Sequence, residues 1–205
     1  MAGRHALTLV KPRWSEAANT DIGTRHLLRQ VALELFAEHG FHGISLRQLA
    51  AAMHMHPGSL YNHIDSKQAL LFELIEEHEG DLLELLHTEV PLQADGLLQL
   101  ETYVRMHLQF NSLHSQRHAL ARLEFRGLNY EQQESIERLR HVQVQQLEKI
   151  LQRCALPAAE CGPIAQGMIA MLDGVVAGYP NGGRPPLEHL AALFSRMVLN
   201  GLSTT

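Results

Sequence analysis

Apolar residues recur at intervals of three and four along most of the chain, which is the pattern of helices that bury one face. The first such segment begins at Thr24 and ends near Gly40. It predicts an amphipathic helix whose inner face is formed by Leu27, Leu28, Val31, Ala32, Leu35 and Phe36.

Signals for short helices follow closely. The segment Ser45–Gln48 has the form of a capping box, with Ser as the cap and Gln three residues later,. The pair His56-Pro57 places proline where a helix favours it, and predicts a very short helix through about His63,. Asp65 or Ser66 then caps a fourth helix. Helices two and three, joined by only a few residues, predict a helix-turn-helix.

Longer helices, separated by prolines and glycines, are predicted for the rest of the chain. Their predicted spans are 66–89, 96–115, 117–128, 131–154, 160–178 and 186–202. The first twenty residues show no periodicity, so we expect a mobile tail there; a basic arm in a DNA minor groove is the alternative.

Composition agrees with an all-helical fold, since Leu and Ala supply 56 residues and Ile and Val only 17,. The sequence shows no apolar run of bilayer length and no secretion signal, so we expect a cytoplasmic protein without a membrane partner. Cys154 and Cys161 lack the CxxC spacing and are expected to be reduced thiols,.

Charge is distributed unevenly along the chain. The net charge is −5 overall, but residues 1–68 carry +2 and residues 69–205 carry −7. Seven of the fourteen histidines also lie in the first part. A positive front end is compatible with a nucleic-acid partner, although a charge of this size alone decides nothing.

The segment from Thr24 to Leu71 contains an apolar helix ending in FAEHGF, the Ser-led RQLA helix, PGSLYNH and SKQALL. In these motifs it resembles the DNA-binding region of the TetR family of bacterial transcriptional regulators. The resemblance implies an all-α fold of about nine helices. It also implies three parts: a flexible tail (1–20), a helix-turn-helix DNA-binding domain (21–68) and a helical effector-binding and dimerisation domain (69–205).

The resemblance further implies which residues contact double-stranded DNA. Pro57 and Gly58 let the backbone approach a base edge, and Ser59 can hydrogen-bond in the major groove. Tyr61, His63 and Lys67 have the reach to contact phosphate oxygens, although Tyr61 could instead be a partly buried aromatic residue and the other two simply solvated. Arg47 could reach a guanine edge or a phosphate, and Asn62 could pair with adenine. The full predicted set is Ser45, Arg47, Pro57, Gly58, Ser59, Tyr61, Asn62, His63 and Lys67.

One position departs from the family pattern. His54 stands in the turn between helices two and three, where the family usually has Gly. His adopts a left-handed backbone more readily than most residues other than Gly, at a cost on the order of 1 kcal/mol. We therefore expect the family's turn with some strain.

A small recognition domain makes few phosphate contacts, so useful affinity requires a homodimer on a palindromic site. In the family the last two helices form the dimer contact, and apolar stripes on both suit this role. The alternative is that these stripes belong to the core of one protomer. The predicted interface consists of Met168, Met171, Leu172, Val175, Leu190, Phe194, Met197 and Val198.

The resemblance also implies an effector pocket in the region between the DNA-binding domain and the last two helices. The helix over 96–115 carries an aromatic and imidazole stripe beside the aliphatic stripe Leu97, Leu100, Val104 and Leu108, and a fully packed core is the alternative,. The segments EFRGLNYEQQESIERLR and MLDGVVAGYPNGG faintly resemble TetR-family sensors of acyl-coenzyme A esters, whose phosphates two arginines could bind. The predicted effector-binding residues are Tyr103, His107, Phe110, His114, Arg122 and Arg126.

The sequence gives little support to a metal site, a cofactor or an enzyme. His114 and His118 have a spacing that can hold a metal, but no Cys or carboxylate pattern completes a site, so we predict neither metal nor cofactor,. No nucleophile elbow, phosphate loop or paired-carboxylate motif indicates an enzyme. The resemblance implies a ligand-responsive repressor released from its operator by a small hydrophobic or amphipathic effector. The alternative is a helical ligand-binding or assembly module that no longer reads DNA.

Overall fold

The computed structural model describes residues 21–178 and 185–201. Over these residues it contains nine α-helices, a 3₁₀ helix (Phe125–Gly127) and no strand, which confirms the all-α fold. The tail predicted over residues 1–20 lies outside the described part. The helices are α1 (Asp21–His39), α2 (Leu46–Ala52), α3 (Pro57–Leu60), α4 (Lys67–Glu89), α5 (Gly96–Leu113), α6 (Ser115–Leu123), α7 (Tyr130–Arg153), α8 (Ala158–Gly178) and α9 (Leu187–Gly201).

The chain divides into two compact units, with the boundary after residue 71. In the first unit, α1 buries the face that its period predicts, since Leu28, Ala32 and Phe36 are at most 1% exposed. Phe41 follows α1 and packs edge-on against Phe36, with ring centroids 5.4 Å apart. Apolar burial of this kind holds the short helices α2 and α3 in place.

Helices α2 and α3 begin at their predicted caps. Ser45 accepts a hydrogen bond from the backbone N–H of Gln48, whose side chain accepts one from the N–H of Ser45. Pro57 is the first residue of α3, and the Nδ1 atom of His56 accepts the N–H of Gly58 at 3.3 Å. Both starts are therefore fixed by local hydrogen bonds that the sequence encodes.

The turn after α2 has the strained residue that the sequence indicates. His54 has a φ of 55°, in the left-handed region. Its N–H donates to the carbonyl of Ala51 at 3.1 Å, and the N–H of Met55 donates to that of Ala50 at 2.8 Å. This pair of bonds is the Schellman arrangement, which ends a helix with one left-handed residue.

In the second unit, α5 packs against α7, α8 and α9. Its residues Leu100, Val104 and Leu108 are fully buried, whereas Leu97, from the same predicted stripe, is 45% exposed. Gly96 at the start of α5 touches the end of α7, because a Cβ atom there would lie 2.7 Å from a backbone carbon of that helix. Glycine is the residue that permits this close approach.

The helix predicted over 117–128 is wrong as a single element, because α6 ends at Leu123 and a 3₁₀ turn follows. The N–H groups of Gly127 and Leu128 donate to carbonyls three residues earlier, at 2.8 and 3.1 Å. A capping box of Asn129 and Gln132 then starts α7. These local bonds replace the bonds of a continuous helix.

Candidate functional site

Most of the side chains predicted to contact DNA are accessible on α2, on α3 and in the turn after α3. Tyr61 is 62% exposed, so it is not a core aromatic residue. Its phenol is therefore available to a partner outside the first unit. Of the predicted set, Ser45, Arg47, Gly58, Tyr61 and Asn62 are exposed, and Pro57, Ser59, His63 and Lys67 are half-buried.

Lys67 has a different environment from the one the sequence suggests. Its Nζ atom donates to the carbonyls of Phe41 and Ile44 at 2.8 and 2.7 Å. The same ammonium lies 4.1 Å from the centroid of the Phe41 ring, a cation–π contact,. The first residue of α4 thereby holds the turn that leads into α2.

The second unit contains a cavity of about 350 Å³ that is bordered by five helices. Helices α4 to α8 all contribute to its wall, and nine of the fourteen lining residues are polar. This volume is at the small end of the range for ligand pockets. The lining residues are His78, Glu79, Leu82, His107, Asn111, His118, Ala121, Arg122, Arg140, Gln143, Val144, Ile169, Ala170 and Asp173.

Asp173 of α8 joins two histidines from different helices. The Nε2 atoms of His107 and His118 both lie 3.1 Å from its Oδ1 atom. Burial acts to raise the pKa of this carboxyl, but the hydrogen bonds and charges of the two histidines outweigh burial and hold the pKa below its usual range,. The carboxylate is therefore ionised and connects α5, α6 and α8.

A second charged group in the wall is also paired. The Nε atom of Arg140 donates to Oε1 of Glu79 at 2.8 Å, and Gln143 donates to Oε2 of the same carboxylate at 3.2 Å. Arg140 also donates to the carbonyl of Ala121 at 3.0 Å. Since Glu79 is 6% exposed, this network ties α4 to α6 and α7 in the interior.

Three side chains of the wall retain unused hydrogen-bonding atoms. In the described part of the chain, both amide atoms of Asn111 and the Nδ1 atoms of His78 and His107 have no partner. All three residues are at most 2% exposed. Burial, with the nearby charge of Arg117 and of two other histidines, lowers the pKa of His78 to about 3, so its ring is neutral at physiological pH,.

The predicted effector-binding residues are only partly brought together. His107 and Arg122 line the cavity, and Arg122 donates to the carbonyl of Asp173 at 3.2 Å. The other four are not among the lining residues. Tyr103 and Phe110 pack in the core, His114 contacts Phe110 with ring centroids 4.7 Å apart, and Arg126 is exposed in the 3₁₀ turn.

Sequence reasoning missed most of the wall. His78, Asn111 and Gln143 stand at positions that the helical period alone cannot separate from an ordinary core. Asp173 had a signal, because it is the one charged residue in the apolar stretch 164–178. An isolated carboxylate on a core helix indicates a buried polar partner.

The predicted interface residues divide between two environments. Four of them belong to the core of the protomer: Met168, Leu172, Leu190 and Val198. Met171 and Met197 are 39% and 47% exposed, and Val175 and Phe194 are half-buried. By length and composition alone, helix α8 is apolar enough to cross a membrane. Only 28% of its most apolar 18-residue stretch is buried within the chain. It therefore leaves an apolar face uncovered in a single chain.

The cavity is not arranged as a metal centre. Across residues 21–178 and 185–201, no group of three or more His, Cys, Asp or Glu side chains has a geometry that could hold a metal ion. Cys154 and Cys161 are free thiols. The polar residues of the wall can instead bind a ligand through hydrogen bonds and charge.

Comparison with known proteins identifies the family of this chain. The profile of "Bacterial regulatory proteins, tetR family" matches residues 28–74, and that of "Tetracyclin repressor-like, C-terminal domain" matches residues 94–202. The HTH-type transcriptional repressor KstR2 of Rhodococcus jostii (strain RHA1) is 34% identical over 82 residues. The match covers 40% of this chain and 40% of that relative, so the chain spans well under half of its length.

Solved structures share the fold over most of the chain. A bacterial regulatory protein in the tetR family from Rhodococcus RHA1 superimposes with a TM-score of 0.78 at 21% identity, covering 92% of this chain and 98% of that one. AibR, solved in complex with isovaleryl coenzyme A and operator DNA, has a TM-score of 0.74 at 21% identity, with coverage of 84% and 96%. Since the C-terminal profile alone matches more than half of the sequence, the chain belongs to the TetR family of bacterial transcriptional regulators.

Proposed function

We propose that this regulator is a ligand-responsive repressor that binds a palindromic operator as a homodimer and is released by a small effector. The observation that carries the proposal is the cavity in the second unit, whose wall includes residues of α4. This helix directly follows the helix-turn-helix in the chain. The protein would act in the cytoplasm and would have no catalytic role.

The proposed DNA contacts fall into two groups. Pro57, Gly58 and Ser59 at the start of α3 would meet base edges in the major groove, and Asn62 would pair with adenine. The remaining exposed or half-buried polar groups would bind phosphates and set the orientation of the domain. This second group consists of Ser45, Arg47, Tyr61 and His63, while Lys67 would act through the turn it holds.

The proposed homodimer uses the exposed faces of α8 and α9. On α8, Met171 lies on a face with Gly167, Gly174 and Gly178, where a Cβ atom would meet nothing within 4 Å. Small residues let two helices approach closely, and a dimer would cover the apolar face that a single chain leaves open. Met197 extends the surface on α9.

The proposed effector is amphipathic. Leu82, Val144 and Ile169 give the cavity an apolar side, and Arg122 adds a cation. Because AibR was solved with isovaleryl coenzyme A, an acyl-coenzyme A ester is the ligand class to test first. The volume equals that of about a dozen water molecules, so the acyl end would enter and the phosphates would remain near Arg122.

Release of DNA requires an effector that binds one form of the protein more tightly than the other. An effector can release DNA only if it binds the form that does not fit the operator more tightly than the form that does. His78 and Glu79 lie in the cavity wall and belong to α4. A ligand that displaces these residues would move α4, and we propose that this movement transmits ligand binding to the helix-turn-helix.

Selection from a pool of random duplex DNA by the purified protein tests the proposal. We expect enrichment of a palindrome, and loss of that enrichment when the correct ligand class is present during binding. The ligand panel would contain acyl-coenzyme A esters and aromatic hydrophobes. A failure to enrich any sequence at low salt would overturn DNA reading and favour the assembly module.

Variants separate the two groups of DNA contacts. Tyr61→Ala should weaken binding to all sequences without changing its salt dependence, because the phenol is uncharged, whereas Ser59→Ala should change the selected sequence. Glu38→Ala is the matched control, because Glu38 is exposed on α1 outside the proposed surface. Unchanged operator affinity for Tyr61→Ala would remove its phosphate role.

A further inference from the structure

The charged groups of the cavity already have partners inside the protein. Glu79 is bound by Arg140 and Gln143, and the carboxylate of Asp173 accepts hydrogen bonds from two histidines. Arg122 lies in an exposed part of the wall. The interior therefore presents no carboxylate in need of a cation.

The atoms without partners belong to side chains other than the paired carboxylates and the arginines of the wall. Asn111 is 1% exposed, and its amide offers two N–H donors and one carbonyl acceptor, none of them bonded within the described residues,. The Nδ1 atoms of His78 and His107 are also unbonded in this part of the chain, and these two residues line the same cavity. The wall residues thus include both donors and acceptors whose hydrogen-bonding capacity is unused.

Buried polar groups without partners destabilise a folded protein, and most native structures avoid them. An apolar residue of similar size at position 111 would be the more stable choice for an empty core. The presence of an asparagine there is explained if a ligand supplies the missing hydrogen bonds. Ligand binding would then recover free energy that the unliganded fold lacks.

We propose that the effector carries an uncharged group that both donates and accepts hydrogen bonds, a hydroxyl or a primary carboxamide, and that this group binds Asn111. The inference rests on the proposed function, since it takes the cavity as the effector site. A carboxylate in this position would lie near the carboxylates of Asp173 and Glu79, which would repel it. An ammonium would find those carboxylates occupied, and would lose its hydration without a new counter-charge.

Calorimetric titration of the full-length protein without DNA tests the ligand class. The probes are three small skeletons, linear hexyl, cyclohexylmethyl and benzyl, each carrying a hydroxyl, a primary carboxamide, a carboxylate or an ammonium group. We expect a neutral member of at least one set to bind about tenfold more tightly than its charged counterparts. Tighter binding of a charged member, or no binding of any neutral member, would overturn the inference.

Variants at position 111 provide a second readout. Asn111→Leu should reduce the affinity for the neutral probes about tenfold, and should raise the unfolding midpoint of the unliganded protein by about 2–4 °C. Ser195→Ala is the matched control, since the Ser195 hydroxyl is also fully buried and unbonded among the described residues but does not line the cavity. It should raise the midpoint and leave probe affinity unchanged.

Asn111→Ala provides a check if the leucine variant does not fold, because it removes the amide without adding bulk. Retention of full probe affinity by either variant contradicts the inference. These titrations contain no DNA, so they fail independently of the operator selection. Palindrome enrichment without neutral-probe binding would reject only the ligand chemistry, and the converse would reject only DNA reading.

Discussion

His54 shows how one residue can hold a turn at a cost in stability. It has a φ of 55°, where glycine is unstrained and other residues are not,. We expect His54→Gly to raise the free energy of unfolding by about 0.5–1 kcal/mol, because the relief of strain exceeds the added entropy of the unfolded chain. Urea unfolding followed by circular dichroism measures this difference.

A substitution in the adjacent helix is the control for that experiment. Ala51 is exposed within α2, so Ala51→Gly introduces the same residue at a helical position. It should lower the free energy of unfolding by about 1 kcal/mol, the opposite sign to His54→Gly. If both variants were destabilised equally, the strain assigned to His54 would be wrong.

Residues with local signals are the ones that the sequence identifies well. Ser45 and His56 cap helices through neighbours two or three positions away, and His54 stands at a known turn position, so each is visible in a short window. Asn111 and Asp173 differ, since their surroundings come from several helices, and the two histidines that bond Asp173 are 55 and 66 residues away in the chain. No local pattern carries that information.

At the scale of elements, the start of α4 fixes the turn between α1 and α2. Lys67 places its ammonium on the carbonyls of Phe41 and Ile44. Lys67→Met keeps the aliphatic stem but leaves those carbonyls without this donor, so we expect a loss of about 1–3 kcal/mol in stability. Thermal unfolding measures it, and operator affinity should fall as a consequence of the displaced turn.

Arg47 distinguishes this structural role from a direct contact with phosphate. It is exposed on α2, so Arg47→Met should change stability by less than about 0.5 kcal/mol while still weakening DNA binding and its salt dependence,. A stable Lys67→Met protein with the same loss of salt dependence would show that Lys67 contacts phosphate instead.

The positions of helices can be predicted from the sequence where the apolar periodicity is long and the capping residues are clear. Helices α1, α4 and α5 lie within a few residues of their predicted spans because their apolar faces are long,. The predicted helix over 117–128 fails because its last part has no cap signal and depends on i→i+3 bonds around Gly127. Such bonds are decided by neighbouring geometry, which the apolar pattern does not encode.

At the scale of the whole molecule, α8 has two apolar faces with different roles. One face, with Met168 and Leu172, packs into the core of its own chain. A neighbouring face carries Met171 and the small residues Gly174 and Gly178, which are exposed. Helical period predicts that both faces are apolar, but it does not indicate which face a second chain would cover. The predicted interface therefore mixes core and surface residues.

Charge placed on the outer face should separate the proposed dimer. Met171→Arg combined with Met197→Arg puts two cations on a surface that would face its own copy, so we expect the mass in solution to fall from twice the chain mass to that of one chain. Val142→Arg is the control, since Val142 has a similar exposure, 45%, but belongs to a different helix, α7. Light scattering after size exclusion measures the masses, and operator affinity should fall because a single chain brings only one copy of α3 to the operator. A double variant that stays dimeric would place the contact on another surface, because two buried, unpaired cations at the centre of an interface would cost more than its apolar contacts provide.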